Sequence, residues 1–269
     1  MTSPRSRALV DDLGEVVPLA GRPRRVVSLV PSLTETVAVS VPSVLVGVTD
    51  YCTHPAELDV ARVGGSKYPK LAAVRATAPD LVLANAEENR PEDVAALRAD
   101  GIPVWVTEAA ASVPAALASV RRLLAEVFDL THPPLWLDAA SHEWADPPCP
   151  VWAAAIVPVW RRPWVVLGRD TFAGDVLRRL GVANAYAHHT DRYPRPSLDE
   201  LRGLLGEGRA DLVVLPDEPY RFGPCDGPEA FPGARCAFVD GRLLTWCGPS
   251  LAGAKAALRA ALRQAARSR

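Results

Sequence analysis

The chain has 269 residues, 49% of them hydrophobic and 23% charged, which suffices for one large domain or two modest ones with true cores. A formal net charge of -1 excludes the broad basic surface of a nucleic-acid binder, and no apolar run reaches transmembrane length. Pro outnumbers Gly, 26 to 18, so stiff connections are expected rather than flexible linkers.

The opening stretch through Arg25 starts basic, but Asp11, Asp12 and Glu15 interrupt any secretory apolar core. Five cysteines, odd in number and without a CxxC pair, point to a reduced compartment rather than a disulfide framework. The expectation from these features is a cytoplasmic monomer; a misassigned start would make it periplasmic or otherwise extracytoplasmic.

From Arg25 onward short apolar runs alternate with helical ones. Val26 to Val30 reads as a buried strand, and Ser32 with Glu35 reads as a capping box opening a helix. Val44 to Val48, Leu81 to Ala84 and Val104 to Thr107 are further strands. A helix is expected to open at Pro91-Glu92-Asp93, where proline and acids suit a first turn. This alternation predicts an α/β fold with a mainly parallel sheet. Ala110 to about Glu143 is Ala- and Leu-rich with helical spacing, interrupted at Thr131-His132-Pro133-Pro134. Strand texture returns from Val151 to Trp160 and from Trp164 to Gly168, and an amphipathic helix closes the chain from Ser250.

One pattern occurs twice. Lys67 to Glu88 and Arg192 to Pro219 each carry a basic residue, Tyr and Pro, then a helix, then an Asp-Leu-Val strand with an acidic tip. A further strand follows each. Two copies joined by a helical segment predict two similar lobes facing a cleft, with boundaries at 1–109, 110–146 and 147–269. Ligands of open α/β sheets sit beyond the carboxyl ends of the strands. Tyr51, Tyr68, Glu87, Tyr193, Asp217 and Trp246 all fall just after strand ends.

No phosphate loop, dinucleotide fingerprint, zinc-protease helix or nucleophile elbow is present, so no catalytic constellation is recognised. Cys52 and His54 are the candidate metal ligands or reactive pair. The alternative is a half-buried thiol and a histidine capping the turn before Pro55. Of the seven Trp, those in or after strands read as core; Trp246, with Tyr51, Tyr68 and Tyr193, is better placed to line a cleft for a large flat ligand.

RRVVSLVPSLTETV, VGVTDYCTHPAE, RVGGSKYPKLAAV, GRDTFAGDVLRRLG, RYPRPSLDEL, ADLVVLP and FVDGRLLTWCGPS together resemble the cobalamin and ferric-siderophore binding proteins of ABC importers, over roughly Arg25 to the C-terminus. The resemblance implies two Rossmann-like α/β lobes joined by a long rigid helix, with the ligand cleft between the lobes. It implies a soluble, non-enzymatic binding protein for a corrinoid such as cobalamin or another metal chelate. It also implies contacts from Pro31, Ser32, Tyr51, Gly65, Ser66, Lys67, Tyr68 and Trp246, with Arg169, Asp170 and Tyr193 from the second lobe. Ser66 stands where cobalamin binders carry a stacking tryptophan. The acids that dock such proteins on an ABC permease fall at Ala72 and Asp199, so only one is present. The Glu87-Glu88-Asn89-Arg90 segment looks like that of family members without an export signal. Two other readings remain open: an importer component whose export signal is unrecognised, and a cytoplasmic enzyme using Cys52 and His54 in the same cleft.

Overall fold

The structure, a computed structural model, describes residues 7–267. Its contacts group into two units. The first holds the chain up to Ala109 together with Leu117–Asp138 and Cys247–Pro249; the second holds Ala110–Ala116, Ala139–Trp246 and the chain from Ser250 onward.

The first unit opens with an antiparallel hairpin of β1 (Arg7–Val10) and β2 (Val16–Leu19). There follow β3 (Val26–Ser28), α1 (Pro31–Ser40), β4 (Leu45–Val48), β5 (Ala61–Arg62), α2 (Leu71–Ala76), β6 (Leu81–Asn85), α3 (Pro91–Ala99) and β7 (Val104–Thr107). The strands β5-β4-β3-β6-β7 form one parallel sheet in that order. Its central strands are continuous apolar runs because both faces are covered. Val27, Leu29, Val82, Ala84, Val94, Leu97 and Val106 make one core cluster. The chain leaves β3 in one direction to β4 and later returns to its other side at β6. This puts a topological switch point between β3 and β6, where the loops after both strands diverge.

Helix α1 does not start as expected. Ser32 lies inside the helix, because Pro31 occupies its first turn and Val30 is the N-cap, with no side-chain cap bond. Proline has its φ preset for the first turn and lacks an N–H that would have no partner inside the helix there, so the helix starts at Pro31 and Ser32 falls inside it rather than at the cap. The opening of α3 at Pro91 is as the sequence reads, with Glu92 and Asp93 in the first turn.

Beyond β7, α4 (Val113–Arg122) runs into a π-helical turn, Leu123–Val127. The helical path breaks over residues 128–134 and resumes as α5 (Leu135–Glu143). Two prolines, Pro133 and Pro134, account for the break.

The second unit contains β8 (Ala153–Ile156), a small antiparallel hairpin of β9 (Pro158–Trp160) and β10 (Val165–Val166), α6 (Phe172–Arg179), β11 (Val182–Asn184), α7 (Leu198–Gly206), β12 (Leu212–Pro216), β13 (Cys236–Val239), α8 (Gly241–Thr245) and α9 (Ala254–Arg267). Its parallel sheet has the order β11-β8-β12-β13. The core gathers Ile156, Val166, Leu201, Val213, Leu215 and Phe231. The doubled sequence pattern is now visible as structure. In each unit a helix (α2, α7) leads to a buried strand (β6, β12) that pairs in parallel with the next (β7, β13).

The hairpin β1–β2 is fastened to the first sheet by buried Asp11. One carboxylate oxygen accepts the N–H of Leu13 at 3.0 Å and of Glu15 at 2.9 Å; the other accepts Arg98 Nη2 at 2.7 Å and the N–H of Val106 at 3.2 Å. Replacing it leaves the buried N–H of Val106 and the half-buried Arg98 guanidinium without this acceptor. Asp11→Ala is expected to cost about 3 kcal/mol of unfolding free energy, read from urea denaturation as a lowered midpoint.

Candidate functional site

The carboxyl ends of the first unit's strands carry most of the residues singled out in the sequence. After β4, Thr49 and Asp50 lead to Tyr51, whose ring is 65% exposed. After β5, Gly64 adopts φ +91, a left-handed conformation open to glycine at little cost, and pairs across a bridge with Pro69. Lys70 N–H donates to Val63 O at 2.7 Å, closing the base of the Gly65-Ser66-Lys67-Tyr68 loop. A side chain at Gly65 would touch the Tyr51 ring at 3.4 Å, so Tyr51 packs over this loop. Tyr68 at its tip is 71% exposed, with the Arg90 guanidinium 5.1 Å from its ring centroid.

The loop after β6 is held by two asparagines. Asn85 Oδ1 accepts the N–H of Glu87 at 2.8 Å and of Glu88 at 3.2 Å, and Asn89 Oδ1 accepts the N–H of Asn85 at 2.8 Å. The Asn89 amide donates to Ser66 O at 2.9 Å and Leu29 O at 3.2 Å, joining the loops that follow β3, β5 and β6. Lys67 Nζ donates to Glu87 O at 2.7 Å. Pro31, Ser32, Tyr51, Gly65, Ser66, Lys67 and Tyr68 are therefore gathered at one edge, with Glu87 to Arg90 beside them.

Burial, reinforced by the neighbouring Glu87 carboxylate and opposed by Lys67, pushes the Glu88 carboxyl up to about 7. This edge therefore changes charge within the physiological pH range.

Cys52, next in the chain after Tyr51, is fully buried. Its Sγ lies 3.0 Å from Thr34 Oγ1 and 3.1 Å from Thr49 Oγ1, and burial pushes its thiol up. His54 Nδ1 is 3.0 Å from Thr53 Oγ1. Among the described residues no group of three or more His, Cys, Asp or Glu side chains is placed to hold a metal ion. The surroundings of Cys52 are those of a packed thiol, not of the electropositive pocket that makes a cysteine reactive.

In the second unit, Arg169 and Asp170 follow β10 and form an ion pair at 2.8 Å. Asp170 has φ 51. They are fastened to the Tyr193 loop: Gly168 N–H donates to Arg192 O at 2.8 Å, Val166 N–H to Pro194 O at 3.0 Å, and Arg192 Nη1 to Asp170 O. A side chain at Gly168 would come within 2.1 Å of Asp191 O, so the two loops meet only over glycine. Arg169, Asp170 and Tyr193 are thus brought together. Trp246 is placed differently. It is 6% exposed, its side chain hydrogen-bonds Glu218, and the Arg242 guanidinium lies 5.8 Å from its ring. Read from the sequence as a cleft residue, it is buried, with its side chain paired to Glu218 as buried indoles are paired. Asp217 accepts the N–H of Gly241 at 2.6 Å and fixes the start of α8.

Sequence reasoning missed Trp160. Read as core, it is 46% exposed. No alternation marks it, since Pro158 and Val159 before it are both buried; the signal is its place at the end of a short strand, next to Arg161-Arg162-Pro163.

No protein-family model matches the sequence, and no curated protein is similar enough to match it. Solved structures do match, over nearly the whole chain. The periplasmic vitamin B12 binding protein BtuF of Vibrio cholerae superposes with a TM-score of 0.67 at 17% identity, over 92% of this chain and 99% of that one. The periplasmic heme-binding protein RhuT of Roseiflexus sp. RS-1, in apo form, gives 0.70 at 19%, over 91% and 99%. A periplasmic heme-binding protein from Pseudomonas aeruginosa gives 0.69 at 24%, over 89% and 92%. The chain has the fold of these periplasmic binding proteins, the fold type that its sequence segments resemble.

Glu88 offers a direct check on this edge. Its carboxyl titrates near 7 in the folded chain and near 4.5 when unfolded, so folding favours the protonated form. The wild type loses stability relative to Glu88→Gln as pH rises from 4.5 through 7. The variant's advantage in thermal midpoint is expected to be small at pH 5 and complete by pH 8, measured by circular dichroism melts.

Proposed function

We propose that this chain is a non-enzymatic binding protein of the ABC-importer type that holds a metal-bearing macrocycle or chelate on its strand-tip residues. Cobalamin is the first candidate and heme the second. The observation that carries this reading is the pair Tyr51 and Tyr68, 65% and 71% exposed yet fixed by Gly65, Arg90 and the asparagine-held loops at the switch-point edge. Tyrosine rings left in water on a rigid frame suit a flat, partly apolar ligand. The names of the structural neighbours, which bind vitamin B12 or heme, support the same ligand class.

Pro31, Ser32, Gly65, Ser66 and Lys67 complete the first set of contacts in this proposal, and Arg169, Asp170 and Tyr193 the second. Trp246 contributes through Glu218 and Arg242 rather than as an open face. Cys52 acts as a packed thiol and His54 as a turn residue. A permease partner is part of the proposal, with Asp199 at the exposed second position of α7 as the one docking acid, since Ala72 at the matching position of α2 carries no charge. The cytoplasmic location expected from the opening residues finds no support in the neighbours, whose names place them in the periplasm; an extracytoplasmic site of action fits them better. No helix among the described residues is long and apolar enough to cross a membrane.

Purified protein incubated with cobalamins, hemin and ferric siderophores, then desalted, is expected to retain the visible spectrum of one of them. Protein that stays colourless across the panel overturns the proposal. For the ligand retained, Tyr51→Ala and Tyr68→Ala are each expected to weaken binding about tenfold in a titration, with little change in thermal midpoint because both rings are exposed.

A further inference from the structure

The tip of the second unit's hairpin carries an aromatic series that the site above does not use. Trp164 stacks with Phe222, the two rings 3° from parallel at 6.2 Å, and lies 5.3 Å from Phe231 in the core. Tyr220 packs on Phe222 at 4.6 Å, and Trp160 meets Tyr220 nearly at right angles at 5.6 Å. The series runs from buried Phe231 to Trp160, which is 46% exposed.

Ion pairing holds this arrangement in place. Arg161 pairs with Asp226 and, at 2.5 Å, with Glu229, and its guanidinium lies 5.2 Å from the Trp164 ring centroid. Tyr220 OH donates to Asp226 at 2.6 Å. Arg162, next in the turn, has φ 63, a left-handed conformation rare for a residue with a Cβ. Trp160 is thus a large, half-open indole on a fixed support.

Its position matters as much as its exposure. The strand β9 follows β8 after a single residue and packs against β12, and Leu167 N–H returns to Val157 O at 2.9 Å, just before Gly168 and Arg169. With Ile156 level with Val213, the three residues of β9 run alongside the last residues of β12, so Trp160 stands at that strand's carboxyl end. Tyr220 stands a few residues past the end of β12, at the same edge. Both rings therefore belong to the end of the sheet where open α/β folds bind ligands.

We infer that Trp160, backed by Tyr220, is a further ligand contact of the second unit and presents an aromatic face to the planar part of the metal chelate. This rests on the ligand reading under Proposed function. Indole and phenol rings grip planar conjugated or corrin-like surfaces through dispersion and burial, with no need for a charged partner.

The test uses the wild-type protein with hemin and, separately, hydroxocobalamin. Hydroxyl-radical footprinting read by mass spectrometry is expected to show Trp160 oxidised at least severalfold more slowly when whichever of the two binds is saturating. Trp160→Ala is expected to weaken that binding about tenfold, and Trp160→Phe to restore most of it. If a chelate binds but Trp160 is oxidised at the same rate with and without it, this inference is wrong while the ligand reading stands. If neither compound, nor any ferric siderophore, binds the wild type, the ligand reading fails and takes this inference with it. Footprinting needs no variant, so a misfolded Trp160→Ala protein does not blunt the test.

Discussion

The buried amide of Asn89 is the contact on which the first unit's strand-tip edge depends. It accepts one backbone N–H from Asn85 and donates to the carbonyls of Leu29 and Ser66, so a single side chain joins the ends of three strands. An amide has donors and an acceptor on one small planar group; an aspartate would lose the donors and a leucine both. With these polar groups satisfied inside the protein, the loops need no water to complete them and can hold exposed tyrosines in fixed positions. Asn89 is 4% exposed, so the join is also shielded from competing solvent.

The second unit solves the same problem by different means. There the Arg169 and Tyr193 loops are joined by backbone hydrogen bonds over Gly168, where no Cβ fits, and the hairpin tip is held by Arg161 and two acids. Similar strand-helix patterns thus support edges of unlike chemistry. One edge is polar-stitched with a carboxyl that titrates near neutrality; the other is tied by close backbone contact and aromatic stacking.

Much of this was legible in the sequence because it depends on local pattern. Apolar runs such as Val104 to Thr107 and the repeated Tyr-Pro, helix, strand arrangement marked the parallel strands and their order along the chain. They also placed Tyr51, Tyr68 and Tyr193 just beyond strand ends. What the pattern could not carry was side-chain direction set by distant partners. Trp246 is buried with its side chain on Glu218, and Trp160 is half-open at the end of β9, where it meets Tyr220. Ser32 illustrates a local competition instead: two helix-start signals overlapped, and the proline prevailed over the serine. Nothing in the spacing of Asn85 and Asn89 reveals which backbone groups they meet, although Asn89 falls in the Glu87 to Arg90 segment that the resemblance marked.

The hairpin β1–β2 has a consequence for synthesis. It is the first element of the described chain to emerge, yet its anchors come much later: Arg98 for Asp11, and Ser119 and Arg122 for Asp12. A nascent chain that has reached β7 owns a complete five-stranded sheet but not the helix that carries Arg122. The ribbon therefore stays half-fastened until roughly a hundred residues beyond it have left the ribosome, so the first strands made are not the first to be fully anchored.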